Sequence, residues 1–352
     1  MRIVPLSGIT ERTVTTNRTT TRVLSSGSGR VPVVFLHDSP ASATFWEETM
    51  LALPAGYRAI APDLRGHGLA DPDSKISAVN GLSDVAADII ALMEEEGIGW
   101  FVAVGHGWGG SVAWRLMTDY ADRLRGVVVV NPYSPYGLGG VHGLEGKPVH
   151  PDFAGSGAAL VKAALVEAIT ERQSANGDIA SLPALQHFFT KPPRRERIDA
   201  LLASIYSVQF GQFYFPGDRI PSIMWPRFAP GVWGPFNALS PMFAPPVSRL
   251  YGIKPKPPVL WIRGAADPVV SDESVLDPAV MGKRGELADW PGEDAYPPQP
   301  MVSQTRAVLD RYAEAGGAYS EVVIEDAGHT PFIETPEAFN RALHEFLSTV
   351  RR

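Results

Sequence analysis

The sequence contains no cysteine. Disulfides, thiolate catalysis and Cys-ligated metal centres are therefore excluded. It also lacks any apolar run long enough to span a bilayer, and Met1–Pro5 carries no stretch resembling a signal peptide. The expectation is a cytoplasmic protein without a membrane partner. Positive charge is scarce too. The formal net charge is −7 and the sequence pI about 5.7, which makes nucleic acid and anionic lipid poor partners. His67, His142, His150, His187 and His344 fall in no metal-ligand spacing. No metal and no cofactor are expected. Internal repeats and low-complexity tracts are absent. What remains is 352 residues of ordinary globular composition, enough for one large α/β domain with an inserted lobe, or for two domains.

One further absence is local. The segment Val102-Ala103-Val104-Gly105-His106-Gly107-Trp108-Gly109-Gly110 runs from an apolar strand through Gly-x-x-x-Gly into a helical pattern beginning near Ser111. That is the layout of a nucleophile elbow. Its flanking glycines, Gly105 and Gly109, answer the crowding of a sharp strand-to-helix turn. The apex, where a Ser, Asp or Cys side chain would enter the pocket, is Gly107 and carries only hydrogen. The spacing Gly105, Gly107, Gly110 also fits a dinucleotide-binding turn. However, several strands precede it, and the next strand ends at Asn131 without an acidic residue, which argues against that use.

Strand and helix patterns alternate along the first third of the chain. Thr13–Thr16 and Thr20–Leu24 read as a hairpin around Asn17-Arg18. Val31–Leu36, Tyr57–Ala61, Phe101–Val104 and Gly126–Val130 read as strands, the continuous apolar runs suiting burial on both faces. Phe45–Leu53, Ser83–Glu96 and the stretch to about Tyr120 read as helices. From about Pro132 to Pro257 the chain is rich in Pro, Gly and aromatics, with helical patches near Gly157–Arg172 and Glu196–Ser207. The alternation then resumes: a strand Pro258–Arg263, a helix Val302–Ala315, a strand Tyr319–Glu325 and a helix Pro336–Val350. The expected architecture is a mostly parallel central sheet with helices on both faces. Its core comprises residues 1–132 and 257–352, and an inserted cap residues 133–256.

Two late strands end in loops carrying Asp267 and His329. In a parallel sheet both loops lie at the carboxyl edge, together with residue 107. The order nucleophile, Asp, His suits a triad in which His329 takes a proton from the nucleophile or from water, and Asp267 fixes its tautomer. Asp272, Glu273 and Asp326 are competitors for the acid. Asn131 is an uncharged alternative position for it. Donors for a developing oxyanion are expected from the amides of Ser39 and Trp108. A carboxylate beside that oxyanion would destabilise it, so Asp38 is expected to point away or to have its charge neutralised. His37 reads as a structural hydrogen-bonder and His106 as packing beneath the elbow.

These motifs resemble the α/β-hydrolase superfamily, in particular its cap-bearing members, which include esterase-like and epoxide hydrolase-like enzymes. The resemblance rests on His37-Asp38-Ser39-Pro40, Pro62-Asp63-Leu64-Arg65-Gly66-His67-Gly68, the elbow, Gly264 to Asp267, and Asp326-Ala327-Gly328-His329-Thr330-Pro331. It implies the α/β-hydrolase fold and a nucleophile-His-Asp triad, here lacking its nucleophile at Gly107. Residue 38 is usually Gly in that family. The Ser type implied at 107 would act on an ester, lactone or activated C–C bond of a bulky apolar small molecule, and Gly107→Ser should restore it. The first alternative is an Asp-nucleophile epoxide hydrolase or dehalogenase with Asp lost at 107. The second is a naturally nucleophile-free ligand-binding protein. Of the aromatics between Phe188 and Tyr251, Tyr206, Tyr214, Trp225 and Trp233 are the expected substrate contacts.

Overall fold

A computed structural model describes residues 3–171 and 188–350. Eight strands form one sheet: β1 (Thr10–Thr15), β2 (Thr20–Ser26), β3 (Val31–Leu36), β4 (Tyr57–Pro62), β5 (Phe101–His106), β6 (Leu124–Val130), β7 (Val259–Gly264) and β8 (Tyr319–Ile324). Their spatial order is β1-β2-β4-β3-β5-β6-β7-β8. Pairing is antiparallel from β1 to β2 and from β2 to β4, and parallel across the rest. Every residue of β3 and β5 is buried, as expected for apolar strands covered on both faces. The edge strand β1 keeps an exposed polar face.

Helices α1 (Glu47–Ala52), α2 (Ser83–Glu95) and α3 (Trp108–Asp119) connect the strands of the first half. In α2 the buried Val85, Ile89, Ile90 and Met93 recur at helical spacing and face the sheet. The last helix, Pro336–Val350, buries Phe339, Leu343, Phe346, Leu347 and Val350 in the same way. The strands and helices of the sheet region lie within a few residues of the sequence expectation.

Between β6 and β7 the agreement is partial. Helical turns occupy Gly157–Leu160, Ala163–Thr170, Arg195–Arg197 and Ile198–Ile205. Arg172, the expected end of the first patch, lies outside the described residues. Two short antiparallel pairs, Val141–His142 with Lys147–Pro148 and Arg219–Pro221 with Phe228–Pro230, were not expected. Between β7 and β8 the helix Pro278–Lys283 was also not expected, although its sequence carries the signal: the Asp277 side chain accepts from Ala279 N–H at 2.8 Å and Pro278 begins the helix. Leu138, Leu160, Leu202 and Leu239 of the segment between β6 and β7 join the apolar cluster built on the sheet. Among the described residues no helix is long and apolar enough to cross a membrane.

Candidate active site

The turn from β5 into α3 is held by Gly107 N–H donating to the Val130 carbonyl at 3.0 Å and by Ser111 N–H donating to the Gly107 carbonyl at 3.1 Å. Gly107 has φ 50° and ψ −113°, a region that side chains enter only with strain. Gly109 is required for a different reason. A Cβ there would lie 2.3 Å from the Leu36 carbonyl oxygen, so the helix start can approach β3 only without one.

The space above Gly107 is filled by a side chain from another loop. A Cβ on residue 107 would stand 2.3 Å from Oδ1 of Asp38 and 2.4 Å from its Cγ. Asp38 is buried. Its Oδ1 accepts the Trp108 backbone N–H at 2.6 Å, and its Oδ2 lies 3.1 Å from Nε2 of His329. Asp38 therefore points into the site, not away from it, and lies within ion-pairing distance of His329. The Trp108 amide expected to serve a substrate oxyanion is already engaged by this carboxylate.

His37 fixes the loop that carries Asp38. Its Nε2 accepts Leu64 N–H at 2.9 Å, so Nδ1 carries the proton and donates to the Asp38 carbonyl at 2.7 Å. By the same logic His67 donates from Nδ1 to the Arg65 carbonyl and accepts the Ser39 hydroxyl on Nε2 at 2.7 Å. Burial pushes His67 down to about 3, so it is a neutral strut. The Ser39 side chain is spent on that strut.

Asp267 and His329 meet as the sequence order suggests. Nδ1 of His329 lies 2.8 Å from Oδ2 of Asp267. The other oxygen of Asp267 accepts the N–H groups of Val269 at 2.7 Å and Val270 at 3.1 Å. Asn131, at the end of β6, donates to the carbonyls of Gly328 and His329 and accepts Gly264 N–H. It thus ties the His329 loop to β7 and does not replace the acid. Glu334 accepts Gly328 N–H and Thr330 N–H, both at 3.0 Å, from the other side. Asp272 instead accepts the N–H groups of Val302 and Ser303 in the first turn of the helix Met301–Glu314, while Glu273 and Asp326 are exposed. None of the three competitors reaches His329.

His329 is thus enclosed between two carboxylates. Burial opposes its protonation, but the charge and hydrogen bond of Asp267, followed by those of Asp38, raise it to about 10. Burial likewise opposes ionisation of Asp38, and the His329 contact and the Trp108 N–H outweigh it, holding the carboxyl below its usual value. The contacts with Asp267 and Asp38 thus favour the charged form of His329 at neutral pH. His106 lies beneath it, its Nε2 against the His329 carbonyl at 2.7 Å, and burial pushes it down to about 3. Ligand atoms of Asp38, His106 and His329 lie within 4.8 Å of one another. Those of Asp38 and His329 already face each other at hydrogen-bond distance.

The site opens into a cleft lined by Asp38, Ser39, Pro40, Tyr133, Val161, Leu165, Phe188, Phe236, Val269, Leu276 and His329. None of the four expected substrate contacts is among them. Tyr214 donates to the Pro72 carbonyl. Trp225 donates to the Ala288 carbonyl and packs on Tyr296. Trp233 packs on Phe213, and Tyr206 is half-buried beyond the lining. The aromatics that face the cleft are Phe188, Phe236 and Tyr133, the last only two residues after Asn131. Aromatic content alone marked the segment, but not which rings turn inward.

A sequence model of the alpha/beta hydrolase family matches residues 33–342. The chain belongs to the alpha/beta hydrolase family. Over 124 residues it is 37% identical to epoxide hydrolase A of Mycobacterium tuberculosis, a match covering 35% of this chain and 38% of that protein. It is 36% identical over 121 residues to an epoxide hydrolase of Caballeronia sordidicola, covering 34% and 36% respectively. The match thus spans well under half the length of these curated relatives. Among solved structures, a thermophilic esterase from Thermogutta terrifontis superposes with TM-score 0.57 at 20% identity, over 97% of this chain and 100% of that one. The epoxide hydrolase CorEH superposes with TM-score 0.57 at 17% identity, over 97% and 99%. At these identities the likeness to solved structures is one of fold.

Proposed function

We propose that this alpha/beta hydrolase adds water across the ring of a small, uncharged, apolar epoxide. The observation that carries the reading is the Asp38 carboxylate on the Trp108 N–H. Hydrolysis of an ester or lactone builds negative charge on the substrate's carbonyl oxygen and calls for donors such as this amide. Here a resident anion holds it. Opening an epoxide makes a different demand, because charge develops on the ring oxygen, which needs a proton. The imidazolium of His329 can supply one, and Tyr133, a second hydrogen-bond donor by residue type, lines the same cleft.

Asp267 orients His329 and stabilises its charged form. The apolar lining from Val161, Leu165, Phe188, Phe236, Val269 and Leu276 suits a hydrocarbon body. In this reading residues 133–256 act as a cap, contributing Tyr133, Val161, Leu165, Phe188 and Phe236. The local similarity to epoxide hydrolases supports it. The Ser-type alternative requires a side chain at 107, where Asp38 leaves no room for one.

The test compares styrene oxide with p-nitrophenyl butyrate. Diol formation from the epoxide is expected, falling by about 10²–10⁴-fold or more in His329→Ala, with ester cleavage close to background. Efficient ester cleavage without diol would overturn the reading.

A further inference from the structure

We infer that Asp38 is the covalent nucleophile of this site, transposed from the elbow apex to the loop after β3, and that residue 107 is glycine to make room for it. The inference rests on the epoxide reading above. Three observations converge. The Asp38 carboxylate overlaps the volume that any side chain on residue 107 would enter, to within 2.3 Å of its Cβ. It makes the two contacts a reacting group at this elbow needs, the first amide of α3 at 2.6 Å and Nε2 of the dyad histidine at 3.1 Å. It also lines the apolar cleft. A Gly at 107 together with an Asp at 38 is therefore an exchange of position within one site, and Gly107 is not a lesion.

The two oxygens of Asp38 divide the work. Oδ2, on the His329 side, attacks a ring carbon of the epoxide. The ring C–O bond breaks, its electron pair goes to the ring oxygen, and that oxygen takes the proton from Nε2 of His329. The result is a hydroxyalkyl ester of Asp38 beside a neutral imidazole. With the carboxylate charge gone, His329 is free to act as a base. It removes a proton from water as the water oxygen bonds to Cγ of Asp38, and the negative charge falls on Oδ1, which faces the Trp108 N–H. Collapse breaks the bond from Cγ to Oδ2, and His329 returns its proton to the departing diol oxygen. The new carboxylic acid then passes its own proton to His329. One epoxide and one water become one diol, and the water oxygen stays on Asp38.

Oxygen-18 water with styrene oxide tests this in a single turnover with enzyme in excess. The Asp38 peptide should carry one heavy oxygen and the diol none. Heavy oxygen in the diol, with none in the peptide, would overturn the inference and leave Asp38 as a base while the epoxide reading stands. A second probe does not depend on epoxides. Phenacyl bromide should esterify Asp38, with loss of bromide, in the wild type and not in Asp38→Asn. If no diol forms but the Asp38 ester does, the nucleophile stands and the epoxide reading falls. If neither diol nor ester forms, the inference is overturned.

Discussion

At the scale of single residues, the decisive pair is Gly107 and Asp38. Gly107→Ala places a methyl group within 2.3 Å of a carboxylate and at a positive φ. Strain of this kind costs about 1–3 kcal/mol, against about 0.4–1 kcal/mol regained from the stiffer unfolded chain. The variant should melt at lower urea, and Asp38→Gly in the same chain should recover part of the loss. His329 supplies a pH signature. Its folded pKa of about 10 lies above its ordinary 6.5, so its stabilising contribution is complete below 6.5 and is lost as pH rises through about 10. Urea midpoints should therefore fall between these limits, and fall less in His329→Asn. The positions of His329 and Asp267 were legible because each follows a strand within a short motif. The direction of Asp38 was not, because its partners lie 70 and 291 residues away, and a lone residue type says nothing about such contacts.

At the scale of elements, the loop after β3 depends on what lies under it. Arg22 of β2 donates to both oxygens of Asp63, at 2.7 and 3.0 Å, and both residues are buried. Asp63 also accepts the N–H groups of Ala43 and Leu69. Asp63→Ala would leave a buried guanidinium without that partner, a change that costs about 3–5 kcal/mol. A urea melt should show it, and a loss under 1 kcal/mol would mean that Arg22 finds compensation elsewhere. The strands of the sheet were legible because unbroken apolar runs have few other uses. The short helices and strand pairs between β6 and β7 were not, since segments of two to eight residues carry too few periods to be told apart.

At the scale of the whole molecule, the parallel order β3-β5-β6-β7-β8 brings the loops bearing Asp38, Gly107, Asn131, Asp267 and His329 to one edge. The segment between β6 and β7 lays Tyr133, Phe188 and Phe236 over them. Tyr133→Phe should therefore lower epoxide turnover by roughly 10²-fold if its hydroxyl assists the ring oxygen. Tyr206→Phe and Tyr214→Phe, outside the lining, should leave kcat within a few-fold. A reversed pattern would move the substrate to another face of the segment.

The central claim is that one carboxylate has changed its place within an otherwise intact site. The measurement that addresses it most directly is styrene oxide hydrolysis by the exchanged variant Asp38→Gly/Gly107→Asp, beside Asp38→Gly alone. The single variant should lose turnover by about 10³-fold or more, in keeping with removal of a catalytic nucleophile. The exchange, which returns the carboxylate to the elbow apex below His329, should recover at least about tenfold of that loss. An exchanged variant that folds as well as the wild type and is no more active than Asp38→Gly would contradict the claim.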